Sequence, residues 1–111
     1  MKPARVNSEQ AFLRRIVRLA RQAGWRVFHP APARFGKAWR TPYAGDRGFP
    51  DLVLVRPPKV LFIELKAQRG KPTPEQQEWL TALGACSEVH ACIWREGDSE
   101  VIGKILSGDA L

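Results

Sequence analysis

Cysteine and histidine are scarce: the chain has two of each, Cys86 and Cys92, His29 and His90. Five residues separate the cysteines, and no second Cys or His pair stands at zinc-ligand spacing, so a structural zinc site is excluded. The two thiols are expected to be buried and reduced, and the two histidines, each isolated, to be structural. Long apolar runs are also lacking. Stretches such as 60–63 fall far short of the roughly 20 residues of a membrane helix, and the first residues hold no apolar segment of signal-peptide type. The expected setting is a reducing cytoplasm. Acidic residues are outnumbered, eleven against eighteen Lys and Arg, which leaves a net charge of +7. An excess of that sign attracts polyanions, nucleic acid foremost, although basic charge alone does not require one.

What is present is globular composition. Of 111 residues, 44% are apolar and 26% charged, with four Trp and five Phe, enough for one compact domain over residues 1–111 and too few for two. No internal repeat or low-complexity segment interrupts it. Over residues 8–24, Phe12, Leu13, Ile16, Val17, Leu19, Ala20 and Ala23 recur with helical period, opposite Arg14, Arg15, Arg18 and Arg21. Asn7 or Ser8 can cap this helix and Gly24 can end it. The Arg14, Arg18 and Arg21 stripe reads as a solvated face. Residues 25–29 read as a strand. Residues 30–50 hold four of the nine prolines and three of the nine glycines without a clean period, and read as a long loop.

Two apolar stretches, 51–55 and 59–66, flank Pro57 and Pro58 and read as a β-hairpin. Pairing symmetric about the two prolines sets Val55 opposite Val60, Val53 opposite Phe62 and Asp51 opposite Glu64. Both faces are then apolar, so the hairpin is expected to be central and covered on both sides. Thr73, Pro74 and Gln76 read as a helix start, with Trp79, Leu80 and Leu83 as the buried stripe. A last strand over 88–94 and a short closing helix over 98–106 complete the chain.

Asp51 and Glu64 are charged residues in the two most apolar strands, where an unpaired carboxylate costs several kcal/mol or becomes protonated. In the expected register their Cβ atoms are about 5 Å apart. A divalent cation turns the repulsion of two facing carboxylates into ligation, and oxygen ligands suit Mg²⁺ or Mn²⁺. Lys66, two residues beyond Glu64 on the same face, brings an ammonium to the same place. Metal and cation together suit a phosphodiester, with Lys66 positioning an attacking water or stabilising developing charge. The plainer alternative is that Asp51 merely begins a strand after a Gly-Phe-Pro turn while Glu64 forms an ordinary ion pair with Lys66 or an arginine.

The wider sequence favours the first reading. Gly48-Phe49-Pro50-Asp51-Leu52-Val53-Leu54-Val55, the spacing of twelve residues between Asp51 and Glu64, Glu64-Leu65-Lys66, Thr73-Pro74-Glu75-Gln76 and Trp79-Leu80 together resemble a VRR-NUC domain of the PD-(D/E)xK nuclease superfamily. The resemblance runs from the first helix to Trp94, and the element order αβββαβ agrees with an α/β, restriction endonuclease-like core whose mixed central sheet is flanked by helices. The size resembles the stand-alone versions of phages and prophages, some of which act on four-way (Holliday) junctions. The resemblance implies a structure-selective endonuclease in a bacterial or phage-infected cell, dependent on Mg²⁺ or Mn²⁺ and leaving 5′-phosphates, with branched DNA as partner and a homodimer as active form. It also implies that Asp51, Glu64 and the Leu65 carbonyl ligate metal and that Lys66 is catalytic.

Glu9 falls within the apolar arc of the first helix, where a carboxylate needs a partner. It resembles the family's first-helix glutamate, a metal ligand directly or through water, but also reads as a first-turn acid stabilised by the helix dipole. Gln76 resembles a catalytic glutamine of the family, while Thr73-x-x-Gln76 is equally a capping box. Arg34, Lys37, Arg40 and Arg47 alternate with Phe35, Trp39 and Tyr43 just before Asp51, a mixture suited to gripping DNA, or to a basic loop whose aromatics pack on the core. Two other functions fit the same residues: a nucleic-acid-binding module without turnover, against which the intact Asp51, Glu64 and Lys66 set argues, and an RNA-directed nuclease.

Overall fold

The computed structural model describes residues 4–30, 33–40 and 44–108. Its elements run α1 (Ala4–Gln22), β1 (Arg26–Phe28), β2 (Ala33–Phe35), β3 (Ala38–Arg40), β4 (Leu52–Arg56), β5 (Lys59–Lys66), α2 (Pro74–Gly84), β6 (His90–Arg95), a 3₁₀ turn (Glu96–Asp98) and α3 (Ser99–Ser107). β1, β4, β5 and β6 form one sheet in that order, antiparallel except for the parallel β5–β6 pair. The αβββαβ order is therefore present, with β2 and β3 inserted as a separate two-stranded hairpin.

Period-two alternation in β4 and β5 sorts their side chains. Leu52, Leu54, Leu61, Ile63 and Leu65 enter a core closed by Phe12, Ile16 and Ala20 of α1 and by Ile102 and Leu106 of α3. Burying each such aliphatic side chain stabilises the fold by about 1.5–3 kcal/mol. Gly24, at φ +89, ends α1 in the left-handed conformation. Trp25 then donates its indole N–H to the Leu106 carbonyl at 2.7 Å, while Arg56 lies 4.9 Å over the Trp25 ring and donates to the Ala23 and Leu106 carbonyls. This lock joins the end of α1, the end of β4 and the end of α3. On the other face α2 packs on β5 and β6 through Leu80.

The hairpin register follows the reading from the prolines: Val55 pairs with Val60, Val53 with Phe62 and Leu52 with Ile63. Five expectations are corrected. The 30–50 stretch is not all loop, because Phe35 and Ala38 pair across a Gly36-Lys37 turn with Gly36 at φ +64. α1 begins at Ala4, a turn before the capping residues named at Asn7 and Ser8. The last strand starts at His90, since Glu88 takes a positive φ of 65, incompatible with a strand. Cys86 is exposed and Cys92 half-buried, both free. Finally, the second sheet face is only partly covered: Val53, Val55, Val60 and Phe62 are half-buried, because α2 lies over β5 and β6 and leaves β4 and β1 open.

Candidate active site

The site lies where β4 begins and β5 ends. The antiparallel ladder stops at Leu52–Ile63, and just beyond it the Asp51 and Glu64 side chains come close enough to interact. Asp51 does not continue the strand pairing through its backbone. Its Oδ2 instead accepts the Leu65 backbone N–H at 2.8 Å, so the carboxylate itself ties the start of β4 to β5. A strand residue presents its N–H and C=O to the same edge. The Leu65 carbonyl therefore projects on the Asp51 side.

Glu64 is 2% exposed, the one buried charged residue among those described. Its Oε2 lies 3.6 Å from Lys66 Nζ, and its Oε1 is buried with no hydrogen-bond partner. Burial first, then the Asp51 carboxylate, push Glu64 up from 4.5 to about 8, against the attraction of Lys66. Asp51 is also raised, by burial above all and by the charge of Glu9, against the Leu65 hydrogen bond and Lys66. With both carboxylates ionised, the Lys66 ammonium would face two negative charges, and Glu64 instead keeps its proton up to about 8.

Elements around the pair fix it in place. Gly48 precedes Asp51 at φ +92, and a Cβ there would come within 2.6–2.7 Å of the Glu75 and Gln76 backbone. Phe49 packs edge-on against Phe62 (centroids 6.0 Å apart) and Trp79 (5.0 Å), and Trp79 donates to the Asp46 carbonyl. The turn carrying Asp51 is thereby seated on the first turns of α2. At the other strand, Arg95, paired with Lys66, donates to the Ala67 and Gln68 carbonyls at 2.7 and 3.3 Å and holds the chain just past the lysine. Sequence reasoning passed over Arg95, since a lone basic residue at a strand end carries no signal of such a clamp.

The remaining expected residues are placed as follows. Glu9 is exposed and its Oε2 accepts the Ala67 N–H at 3.2 Å, which brings it to the end of β5. Gln76 completes a capping box: its Oε1 accepts the Thr73 N–H at 2.9 Å and its N–H donates to Thr73 Oγ1 at 3.1 Å. Lys37 is exposed at the β2–β3 turn, and Arg47 is exposed beside Glu75, Glu78 and Trp79 around a groove of about 590 Å³. Arg34 lies on β2 and Arg40 on β3, with side chains outside the described residues, as is Tyr43 altogether.

Among the described residues, no three His, Cys, Asp or Glu side chains converge as a metal cage. Mg²⁺ does not need one, because it is usually held by one or two carboxylates with water and substrate phosphate completing the shell. An unpartnered carboxylate oxygen buried beside a second carboxylate fits that donor set.

An acidic residue opening one central strand and a Glu-x-Lys closing the next, on a mixed sheet between helices, are features of the PD-(D/E)xK class of nuclease domains. The chain belongs to the VRR-NUC family, whose domain it matches over residues 5–95, from α1 to the end of β6. Its function is accordingly of the nuclease type, acting on nucleic acid. No curated protein and no solved structure matches the chain.

Proposed function

We propose that this protein is an Mg²⁺- or Mn²⁺-dependent DNA endonuclease that prefers branched substrates, four-way junctions among them. The observation that carries the reading is the buried Glu64 carboxylate, close to Asp51, with Oε1 unpartnered and Oε2 beside Lys66. Asp51, Glu64 and the Leu65 carbonyl would hold the ion, with Glu9 joining them directly or through water. A bound Mg²⁺ or Mn²⁺ supplies Lewis acidity to the scissile phosphodiester. Lys66 positions the attacking water and balances charge on the phosphate. Gln76 uses Oε1 to cap α2, and its amide Nε2 remains for the substrate. Arg34, Lys37, Arg40 and Arg47 grip the flanking backbone.

One such site cuts one strand, whereas resolving a junction needs two symmetry-related nicks, which a two-fold homodimer supplies. The proposed location is the cytoplasm; among the described residues no helix is long and apolar enough to cross a membrane. The test is incubation of the pure protein with labelled duplex, flap, four-way and RNA substrates, with and without Mn²⁺. Cleavage of the four-way DNA above linear duplex, only with metal, supports the reading. Equal cutting of duplex and junction removes the structure preference, RNA-only cutting redirects the enzyme to RNA, and binding without cutting leaves a nucleic-acid-binding module. Light scattering near 12.5 kDa shows a monomer and removes the dimer.

A further inference from the structure

Phe28 is 62% exposed, the most exposed of the large apolar side chains described. A single exposed Phe needs no explanation by itself. Its position does. Phe28 pairs with Val53, and Val53 with Phe62, so the three share a sheet face. Alternation along β4 puts Asp51 on that same face, so the Phe28–Val53–Phe62 row lies directly before the Asp51–Glu64 row, about 7 Å away at two residues of strand rise. The α2 side of this row is already filled, because Phe49 meets Phe62 edge-on and is itself met edge-on by Trp79 of α2. The β1 end is open. Arg26, the preceding residue on the same face of β1, is also exposed.

We propose that Phe28 is the stacking platform for an unpaired nucleobase next to the phosphate held at Asp51 and Glu64, with Arg26 meeting the strand backbone one step further out. This deepens the nuclease reading and rests on it. An aromatic ring flush with a sheet can meet a base only if that base's face is free, so the platform selects substrates with splayed or single-stranded nucleotides over continuous duplex. A second copy of the chain fits the patch less well. A two-fold contact would set each Arg26 against the same basic surface of its mate, in a chain already carrying +7.

The test measures binding of an oligonucleotide carrying 2-aminopurine, single-stranded and as duplex, in EDTA so that nothing is cut. Phe28→Ala should bind the single strand roughly 5- to 150-fold more weakly, with duplex affinity changed less than about twofold, and should lose the fluorescence quenching that stacking produces. Phe28→Trp should keep both, whereas Phe28→Leu, which retains apolar area without a π-face, should behave like the alanine variant. Unchanged single-strand affinity in Phe28→Ala overturns the platform, as does a loss in that variant accompanied by a fall in molar mass, which assigns the patch to self-association. Cleavage with Mn²⁺, read in parallel, separates the two ideas. Asp51-dependent cutting by a Phe28→Ala protein of normal affinity removes the platform alone, and quenching by a wild-type protein that never cuts removes the nuclease reading alone.

Discussion

The Asp51 carboxylate accepts the Leu65 backbone N–H at 2.8 Å, so the residue proposed to hold metal also closes the end of the β4–β5 ladder. Two roles in one side chain call for two substitutions. Asp51→Asn keeps a carbonyl oxygen for Leu65 and removes the charge, and it should fold like the wild type while losing cleavage by at least about 100-fold. Asp51→Ala should lose the same activity and also about 1–3 kcal/mol of stability, because the Leu65 N–H is left without its partner. Urea unfolding beside a cleavage assay reads both. An Asp51→Asn protein that cuts at the wild-type rate would remove Asp51 from the reaction.

Glu64→Ala and Lys66→Ala should likewise abolish cleavage while leaving the fold and most DNA affinity intact. Above about pH 8, where Glu64 is ionised, removing either acid takes away charge that opposes a phosphate, so metal-free binding of DNA should hold or tighten slightly. An electrophoretic titration in EDTA checks this, and a collapse of affinity in Glu64→Ala would contradict the charge argument.

Gly48 and Gly45 offer a matched pair. Both have positive φ, +92 and +105, but a Cβ at Gly48 meets the backbone of Glu75 and Gln76, while nothing lies within 4 Å at Gly45. Gly45→Ala should therefore cost only the left-handed strain, about 1–2 kcal/mol. Gly48→Ala should cost that and about 1–3 kcal/mol more from overpacking, and should displace Asp51 and slow cleavage. Equal unfolding free energies for the two variants would show that the turn does not seat on α2 as described.

The site was legible in the sequence because each part of it rests on a short-range rule. The paired prolines fixed the turn centre, alternation fixed which residues share a face, and the closeness of Asp51 to Glu64 followed, although the ladder itself ends one residue earlier at Leu52. The capping box at Thr73 and Gln76 is equally local. What could not be read is long-range or weakly encoded. Three-residue strands around Gly36-Lys37 are too short to show a period, although a Gly-led two-residue turn was a signal available there. The cover of the sheet depends on where α2 comes to rest, and α2 is tied to the sheet through Phe49, which touches Trp79 on one side and Phe62 on the other, a contact between segments thirty residues apart in the chain. The exposure of Phe28 is the other side of that placement, and no pattern within 25–29 announces it.

Gln76 caps α2 and is proposed also to serve the substrate, and Thr73 separates the two roles. Thr73→Ala removes the same cap without touching the glutamine. Both Thr73→Ala and Gln76→Ala should lose about 1 kcal/mol. If Nε2 serves the substrate, only Gln76→Ala should lose rate beyond that shared effect. Matching rates at matching stabilities would leave Gln76 as a cap alone.

Glu64 makes the metal-free protein pH-sensitive in a definite direction. Its carboxyl titrates at about 8 in the fold against a reference of 4.5, so between those values the folded state holds a proton that the unfolded chain has released. Stability is then fully present below 4.5 and falls as pH rises through 8, the opposite of a carboxylate held by a strong ion pair. Asp51, raised in the same sense, adds to the loss. In EDTA the wild type should melt lower at pH 8.5 than at pH 5.5 by at least about 5 °C, the shift that 1 kcal/mol gives a chain of this size. Glu64→Gln, which cannot ionise, should lose most of that dependence and melt above the wild type at pH 8.5. Mn²⁺ should reverse the order, raising the wild-type melting temperature at pH 8.5 by neutralising the ionised pair and leaving Glu64→Gln nearly unmoved. A wild type whose metal-free melting temperature is flat from pH 5.5 to 8.5 would mean that Lys66 alone already offsets the burial and repulsion acting on Glu64, and the case for a cation between Asp51 and Glu64 would go with it.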